Sequence, residues 1–394
     1  MQSTLAPTSP HARWQELDIL RGFALFGVFV VNMWHSVTPP EGPLDHTAKW
    51  MIENFCWDRS WPLFAFLFGV GFTILLTRAE EKGRSVAVIH LRRVGVLLGF
   101  AFLMTIVCSG GQILARYAAV GLLLVPIRRW RTPVLLAVAT GLFLMAAARI
   151  PELVLSGTVN TPEQRAAEQQ RAAEAKRIRT SGTLAEVSVQ QATDLYRNVF
   201  RSTFLFGATA GIGAVFVLGL IVGRSRVFVD FAAHQALFRR AFFACAAVTV
   251  CWFVASAFVQ RDDSWPWLGR TLWGAFGRAA YALQALSYAA GVSLLLCQSG
   301  WKERLRILAP AGRMTLTNFF VQFLFIRLLT ERFFLHLKLS PTVGLLLTIA
   351  FFALQIAASR WWLDRYRYGP LESLWRVLTY GPGARAPQTS SVRV

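Results

Sequence analysis

Ten apolar stretches divide the chain, at roughly 18–34, 59–77, 93–108, 112–127, 133–150, 203–223, 238–259, 275–298, 313–335 and 341–359. Most approach the ~20 residues needed to cross a hydrocarbon layer. A helix suits such runs, because every backbone N–H must find its partner inside the segment. The pattern therefore predicts an all-α fold, a polytopic transmembrane helix bundle of about ten spans. Residues 1–17 read as a cytoplasmic N-terminal segment, 18–380 as one bundle and 381–394 as a disordered tail. Within the bundle, 151–202 is a long outer loop. Its Ala-rich stretch, with Glu168–Arg171 and Glu174–Arg177 spaced for ion pairs, reads as an exposed or interfacial helix.

The polar connections set the orientation. Arg78, Lys82, Arg84, Arg92 and Arg93 follow the second run, and Arg128, Arg129 and Arg131 follow the fourth. Arg224, Arg226, Arg239 and Arg240 follow the sixth; Lys302, Arg304 and Arg306 follow the eighth. Arg360, Arg365, Arg367 and Arg376 follow the tenth, in a cytoplasmic amphipathic C-terminal segment. These alternate connections carry most of the short-loop positive charge, so they are expected inside, with both termini cytoplasmic. The connection after the first run carries Glu41, Asp45, Glu53 and Asp58 and is expected outside.

Composition sharpens this picture. The 394 residues are 55% hydrophobic and include 14 Trp, with a mean hydropathy of +0.44. A soluble domain could not hide so much apolar surface. The net charge of +20 lies between apolar runs, which fits anionic lipid and not nucleic acid as partner. A phosphorylated cosubstrate is a second reading of the same charge. The five cysteines form no CxxC pair, which argues against a disulfide framework or a metal site. The first run begins near Asp18 with no small-residue cleavage site after it, so it reads as a span and not as a removed leader.

Candidate chemistry concentrates on the first run. Asp18, Arg21, Asn32 and His35 lie near one face of a regular helix, with about 16 Å between Arg21 and Asn32. Asp18 and Arg21 are spaced to pair at the inner end, although an arginine there also serves as a plain interfacial anchor. An amide inside a span, such as Asn32, seeks partners within the bundle. Asp58 either caps the second helix, with Pro62 in its first turn, or orients a histidine across the outer connection. His35 and His46 are the two histidines expected there. Arg116, Tyr117 and Arg327 are further polar intrusions in the outer half, and Asn318 and Gln322 share one face of the ninth run. No run carries a mid-membrane Asp or Glu, the usual mark of a proton-coupled transporter.

Several stretches resemble the YeiB-like family of bacterial membrane proteins. They are Leu17-Asp18-Ile19-Leu20-Arg21-Gly22 through Asn32, Leu67-Phe68-Gly69-Val70-Gly71, Gly312-Arg313-Met314-Thr315-Leu316-Thr317-Asn318, and Tyr368-Gly369-Pro370-Leu371-Glu372 through Arg376. They occur in the family's order and cover nearly the whole chain. That family in turn resembles the transmembrane acyltransferase superfamily. Asp58-Arg59-Ser60-Trp61-Pro62-Leu63-Phe64-Ala65-Phe66-Leu67-Phe68-Gly69 is similar to a pattern of its heparan-alpha-glucosaminide N-acetyltransferase branch, which also has an Asn in the first span and a catalytic His in the next outer loop. The chain departs from the YeiB-like pattern at Phe102 and at Gly111-Gln112, where the family often shows a His and a Gly-Asp.

The resemblance implies a multi-pass bacterial inner-membrane enzyme. It would pass an acyl group from cytoplasmic acyl-CoA, acetyl-CoA foremost and without a metal, to a hydroxyl or amine of a glycan or small molecule at the outer side. Arg21, Arg93, Arg313 and Asn318 are then expected to bind CoA. His46 or His35 is expected to act as base, held by Asp58, with Asn32 at the developing oxyanion. The rival expectation is a non-enzymatic transporter or a lipid- or solute-binding membrane protein, and a homo-oligomer is compatible with either.

Overall fold

The computed structural model describes residues 15–81, 86–108, 110–147, 162–200, 208–225, 227–228, 231–259, 267–331 and 333–381. Expectations for the first fourteen residues, for 151–161 and for the tail beyond 381 lie outside them. The described residues are helical, with no strand among them. In chain order the helices are α1 (Gln15–Trp34), α2 (Pro43–Phe55), α3 (Ser60–Glu81), α4 (Val86–Cys108), α5 (Gln112–Ile127) and α6 (Thr132–Ala147). There follow α7 (Pro162–Ser181), α8 (Leu184–Phe200), α9 (Ala208–Arg224), α10 (Gln235–Phe258) and α11 (Trp267–Leu296). The last are α12 (Ser299–Leu305), α13 (Ala309–Arg313), α14 (Thr315–Thr330), α15 (Pro341–Leu363) and α16 (Pro370–Tyr380).

Among the described residues each apolar run of the sequence falls mainly on helix. Among the described residues five helices are long and apolar enough to cross a membrane: Gln15–Trp34, Ala87–Cys108, Gln235–Phe258, Leu272–Leu296 and Pro341–Leu363. Shorter apolar helices lie at Gln112–Ile127, Thr132–Ala146, Ala210–Arg224 and Thr315–Thr330. The central element is α1, of whose apolar window 67% is buried, against 11% for α10. It packs on α3, α11, α13, α14 and α15. On α10, Phe243, Val250, Val254 and Phe258 are exposed, as are Leu346, Ile349 and Leu354 on α15. Apolar surface of that extent suits lipid and not water.

Four local features differ from the sequence reading. The first outer connection holds a helix, α2, started by Pro43 at its first position. The long connection holds two helices instead of one. Gly182 ends α7, and Thr183 with Glu186 forms a reciprocal cap for α8, with Thr183 N–H donating to Glu186 Oε2 at 2.6 Å and Glu186 N–H to Thr183 Oγ1 at 3.2 Å. On the exposed α7 the Glu174–Arg177 pair forms at 2.7 Å, while α8 lies on α4, where Ser188 donates to the Ile106 carbonyl at 3.2 Å. The ninth run is broken at Met314 (φ −108°, ψ 38°) into α13 and α14. Finally, α4 extends inward of its apolar run to include the buried His90, which meets the Gly121 carbonyl at 2.8 Å and the Phe72 ring edge-on.

Helices approach most closely where glycines face each other. A Cβ on Gly69 of α3 would sit 2.3 Å from the Phe216 carbonyl oxygen of α9, and one on Gly219 would sit 2.3 Å from that of Phe66. Beside them Thr73 donates to the Leu220 carbonyl at 3.2 Å. Small residues of this kind let helices pack where no water drives association. Gly69→Ala or Gly219→Ala is expected to cost about 1–3 kcal/mol by overpacking. Gly95→Ala, where a Cβ meets nothing within 4 Å, should leave thermal unfolding in detergent unchanged.

Candidate functional site

At one end of the bundle a cavity of about 770 Å³ collects Asn32 and His35, Asp58, Trp61, Gly111 and Gln112, Arg116, Arg278 and Tyr281, and Arg327 with Glu331. The lining takes the C-terminal ends of α1, α4, α6 and α14, N-terminal parts of α3, α5 and α9, and the middle of α11. Taken in chain order, α1, α3, α4, α5, α6 and α9 therefore present alternate ends to it.

The chemistry is built from one helix end and one turn. At the end of α1 the His35 Nδ1 lies 2.7 Å from the Val31 carbonyl oxygen. A carbonyl only accepts, so Nδ1 carries the proton and the neutral ring keeps its lone pair on Nε2. Trp57 stacks on the same ring at 4.7 Å between centroids. The next residue, Asp58, has φ 59°, in the left-handed region that non-glycine residues avoid and that clusters at functional sites. The residue after it, Arg59, is buried. It donates to Gln284 Oε1 at 2.8 Å, to the Glu53 carbonyl at 2.6 Å and to the Trp57 carbonyl, and its guanidinium lies over Tyr281. Gln284 in turn donates to the Asn54 carbonyl and meets Tyr288, which donates to the Phe55 carbonyl. Arg59 thus bolts the turn to α11 and fixes where Trp57 and Asp58 point.

Asp58 reaches solvent at the cavity rim, yet the protein crowded round it raises its carboxyl above the ordinary range. Arg59 and then His35 pull the other way. No direct hydrogen bond joins the two among the described contacts; the bond that orients the ring is the one to Val31. Asn32 Nδ2 is buried in the lining with no hydrogen-bond partner among the described residues.

The structure separates the two histidines of the sequence reading. His35 shares the cavity with Asn32 and Asp58, while His46 is exposed on α2 and is not among the lining residues. What α2 contributes is Asp45. Its Oδ1 accepts from the Ser340 hydroxyl and the Thr342 N–H, each at 3.0 Å, at the start of α15. Thr342 first, through its nearby hydroxyl and its N–H, and then Ser340 hold the Asp45 carboxyl below its ordinary 3.8. The stabilisation it lends is present above 3.8 and lost as pH falls through the lowered folded value. An acid limb of thermal stability in that window should disappear in Asp45→Asn.

At the other end, Arg21 pairs with Asp18 at 3.0 Å and lies within electrostatic reach of Arg93. Arg93 sits over Trp375 of α16 at 4.7 Å, and Arg313 donates to the Arg367 carbonyl at 3.4 Å. Three of the expected CoA-binding residues thus meet one another or the C-terminal segment. Asn318 does not join them. It donates to the Ala311 carbonyl at 3.2 Å and Ser359 Oγ at 2.9 Å and braces α14 against α15, where Gln322 and Gln355 pair at 3.0 Å. Glu372 of α16 caps α14. Its carboxylate accepts from the Leu316 N–H at 2.7 Å, the Thr317 N–H at 3.0 Å and the Thr317 hydroxyl at 2.6 Å. Glu372→Ala strands those groups and should lower stability in detergent by about 1–2 kcal/mol, with Glu372→Gln milder. Nearby, Arg128, Arg129 and Arg224 line a second cleft with Thr73, Thr77 and Glu80.

Arg278, Tyr281, Gln284 and Glu331 enter the site without having been singled out from the sequence. The signal was present in α11, where Tyr281, Gln284 and Tyr288 repeat with helical spacing after an arginine inside an apolar run.

With this geometry in place, comparison with known proteins gives a family and three relatives. Residues 222–382 match the family described as "Protein of unknown function (DUF418)". The chain is 28% identical to "Uncharacterized protein YxaH" of Bacillus subtilis (strain 168), over 96% of this chain and 97% of that one. It is 27% identical to "Uncharacterized 39.9 kDa protein in amylase 3'region" of Bacillus acidopullulyticus, over 95% of this chain and 96% of the relative. It is 25% identical to "Uncharacterized protein YeiB" of Escherichia coli (strain K12), over 92% of this chain and 95% of that one. The likeness to YeiB-like bacterial proteins thus extends along almost the whole length.

Proposed function

We propose that the protein is an acyl-CoA-dependent acyltransferase of the bacterial inner membrane, crossing it about ten times with both termini in the cytoplasm. The observation that carries this reading is the meeting of Asn32, His35 and Asp58 in one cavity at the far end of the helix that holds Arg21. The alternation of helix ends round that cavity supports the repeated crossing.

Arg21, Arg93 and Arg313 offer cationic donors to the phosphates of CoA, and the acceptor enters the cavity on the opposite side. His35 Nε2 takes the proton from the acceptor hydroxyl or amine. The freed electron pair attacks the thioester carbonyl. Asn32 Nδ2, which has no partner of its own, donates to the oxyanion that forms. The C–S bond breaks, the histidinium returns its proton to the thiolate, and acylated acceptor and free CoA remain. Between the two ends Leu25, Val28 and Phe29 are packed tightly, so these side chains part for the pantetheine arm.

A second reading, binding or transport of an anionic solute, draws on the three arginines of the outer cavity. The two are separated on purified full-length protein in detergent. The first expects acetyl-CoA to raise the melting temperature, and Arg21→Ala to abolish the rise. It also expects acetyl transfer to the acceptor, once found, to fall about 100-fold or more in His35→Ala and to persist in His46→Ala. No shift with any CoA ester sinks it.

A further inference from the structure

Arg116, Arg278 and Arg327 come from three helices, α5, α11 and α14, and line the same cavity as His35 and Asn32. Arginine is costly within a bundle that faces lipid, and where it occurs it marks a pathway or a ligand. Arg327 has a structural duty as well. Arg327, almost fully buried, donates to the carbonyls of Ile106 at 3.1 Å and of Val107 at the end of α4, and its Nε lies 3.8 Å from Glu331. That duty occupies Nη1. Nη2 is buried with no hydrogen-bond partner among the described residues, as is the amide of Asn32 in the same lining. Among the described lining residues the three arginines outnumber the two carboxylates, Asp58 and Glu331, so this lining carries an excess of positive charge.

Unmet donors and a positive wall call for an acceptor oxygen with charge. Glycan hydroxyls would meet Arg327 Nη2 and Asn32 Nδ2 without supplying charge, whereas a phosphate or carboxylate accepts from several donors at once. We infer that the molecule entering this cavity carries an oxyanion, a phosphate or carboxylate, which Arg116, Arg278 and Arg327 hold while its nucleophilic hydroxyl or amine faces His35. The inference deepens the acyl-transfer reading by naming the acceptor's class, and it rests on that reading for the role of His35 alone. The oxyanion belongs either to a soluble metabolite or to the headgroup of an anionic lipid.

The test uses full-length protein and measures binding, not turnover. In detergent, sn-glycerol 3-phosphate is titrated against glycerol by calorimetry. In nanodiscs, retention of phosphatidylglycerol is compared with phosphatidylcholine by native mass spectrometry. One of the two anionic probes is expected to bind, which identifies the source. Arg116→Gln and Arg278→Gln should each weaken that binding about tenfold or more, the loss of one charge-assisted hydrogen bond. Arg240→Gln, exposed on α10 and outside the cavity, should not. Arg327→Gln is left aside because it uncaps α4. Binding of neither probe, binding that survives both substitutions, or an equal loss in Arg240→Gln overturns the proposal. Anion binding with no response to acetyl-CoA keeps this inference and removes the acyl-transfer reading. A response to acetyl-CoA without anion binding does the reverse.

Discussion

The inner end of the molecule hangs on backbone contact between α1 and the short helix α13. A Cβ on Gly22 would lie 2.4 Å from the Leu308 carbonyl oxygen, and one on Gly312 only 1.8 Å from that of Asp18. No side chain fits between the two segments. That contact sets Asp18 and Arg21 beside Arg313 and fixes where the chain turns at Met314 into α14. Glu372 then caps the new helix and carries α16, with Trp375 under Arg93, to the same place. The glycines belong to stretches nearly 300 residues apart in sequence, and their meeting explains why a motif in the first helix and a motif near the C-terminus resemble the same family.

The cavity end is organised differently. There a buried cation holds the turn that carries Trp57 and Asp58. Arg59 gathers carbonyls of its own turn and the side chains of α11, so the turn cannot move without breaking several charge-assisted hydrogen bonds. The strained backbone of Asp58 is tolerated because both neighbours are held, Trp57 on the His35 ring and Arg59 in the core. The site therefore has rigid walls on α1 and on the turn, and its arginines stand on three further helices.

Much of this was legible from residue order. The helices were, because apolar runs in a membrane have one economical structure. Asn32 and Asp58 were, because an amide in a span and an acid at a span's start are both rare enough to question. The choice between His35 and His46 was not. It turns on α2, which lifts His46 away from the cavity, and the sequence there was read as plain connection. The cap at Thr183 and Glu186 was within reach of the pattern rules but was passed over among the charges of that segment. Asn318 misled for a related reason. A polar residue in a helix reports that it needs a partner without saying which, and here Ser359 and the Ala311 carbonyl supply it.

The arginines show the same limit from the other side. Loop charge tells which face of the membrane a connection meets, but it gives no depth. Arg128, Arg129 and Arg224 read as orientation signals, yet they converge on a cleft. Arg116 and Arg327 read as intrusions, and Arg278 went unremarked inside a long apolar run. Their meaning appeared once α5, α11 and α14 were placed round one cavity, because only then do the three arginines belong to a single lining. Like charges gathered where water is scarce repel unless something negative joins them. Asp58 and Glu331 stand in the same lining, and the oxyanion proposed above would add to their charge.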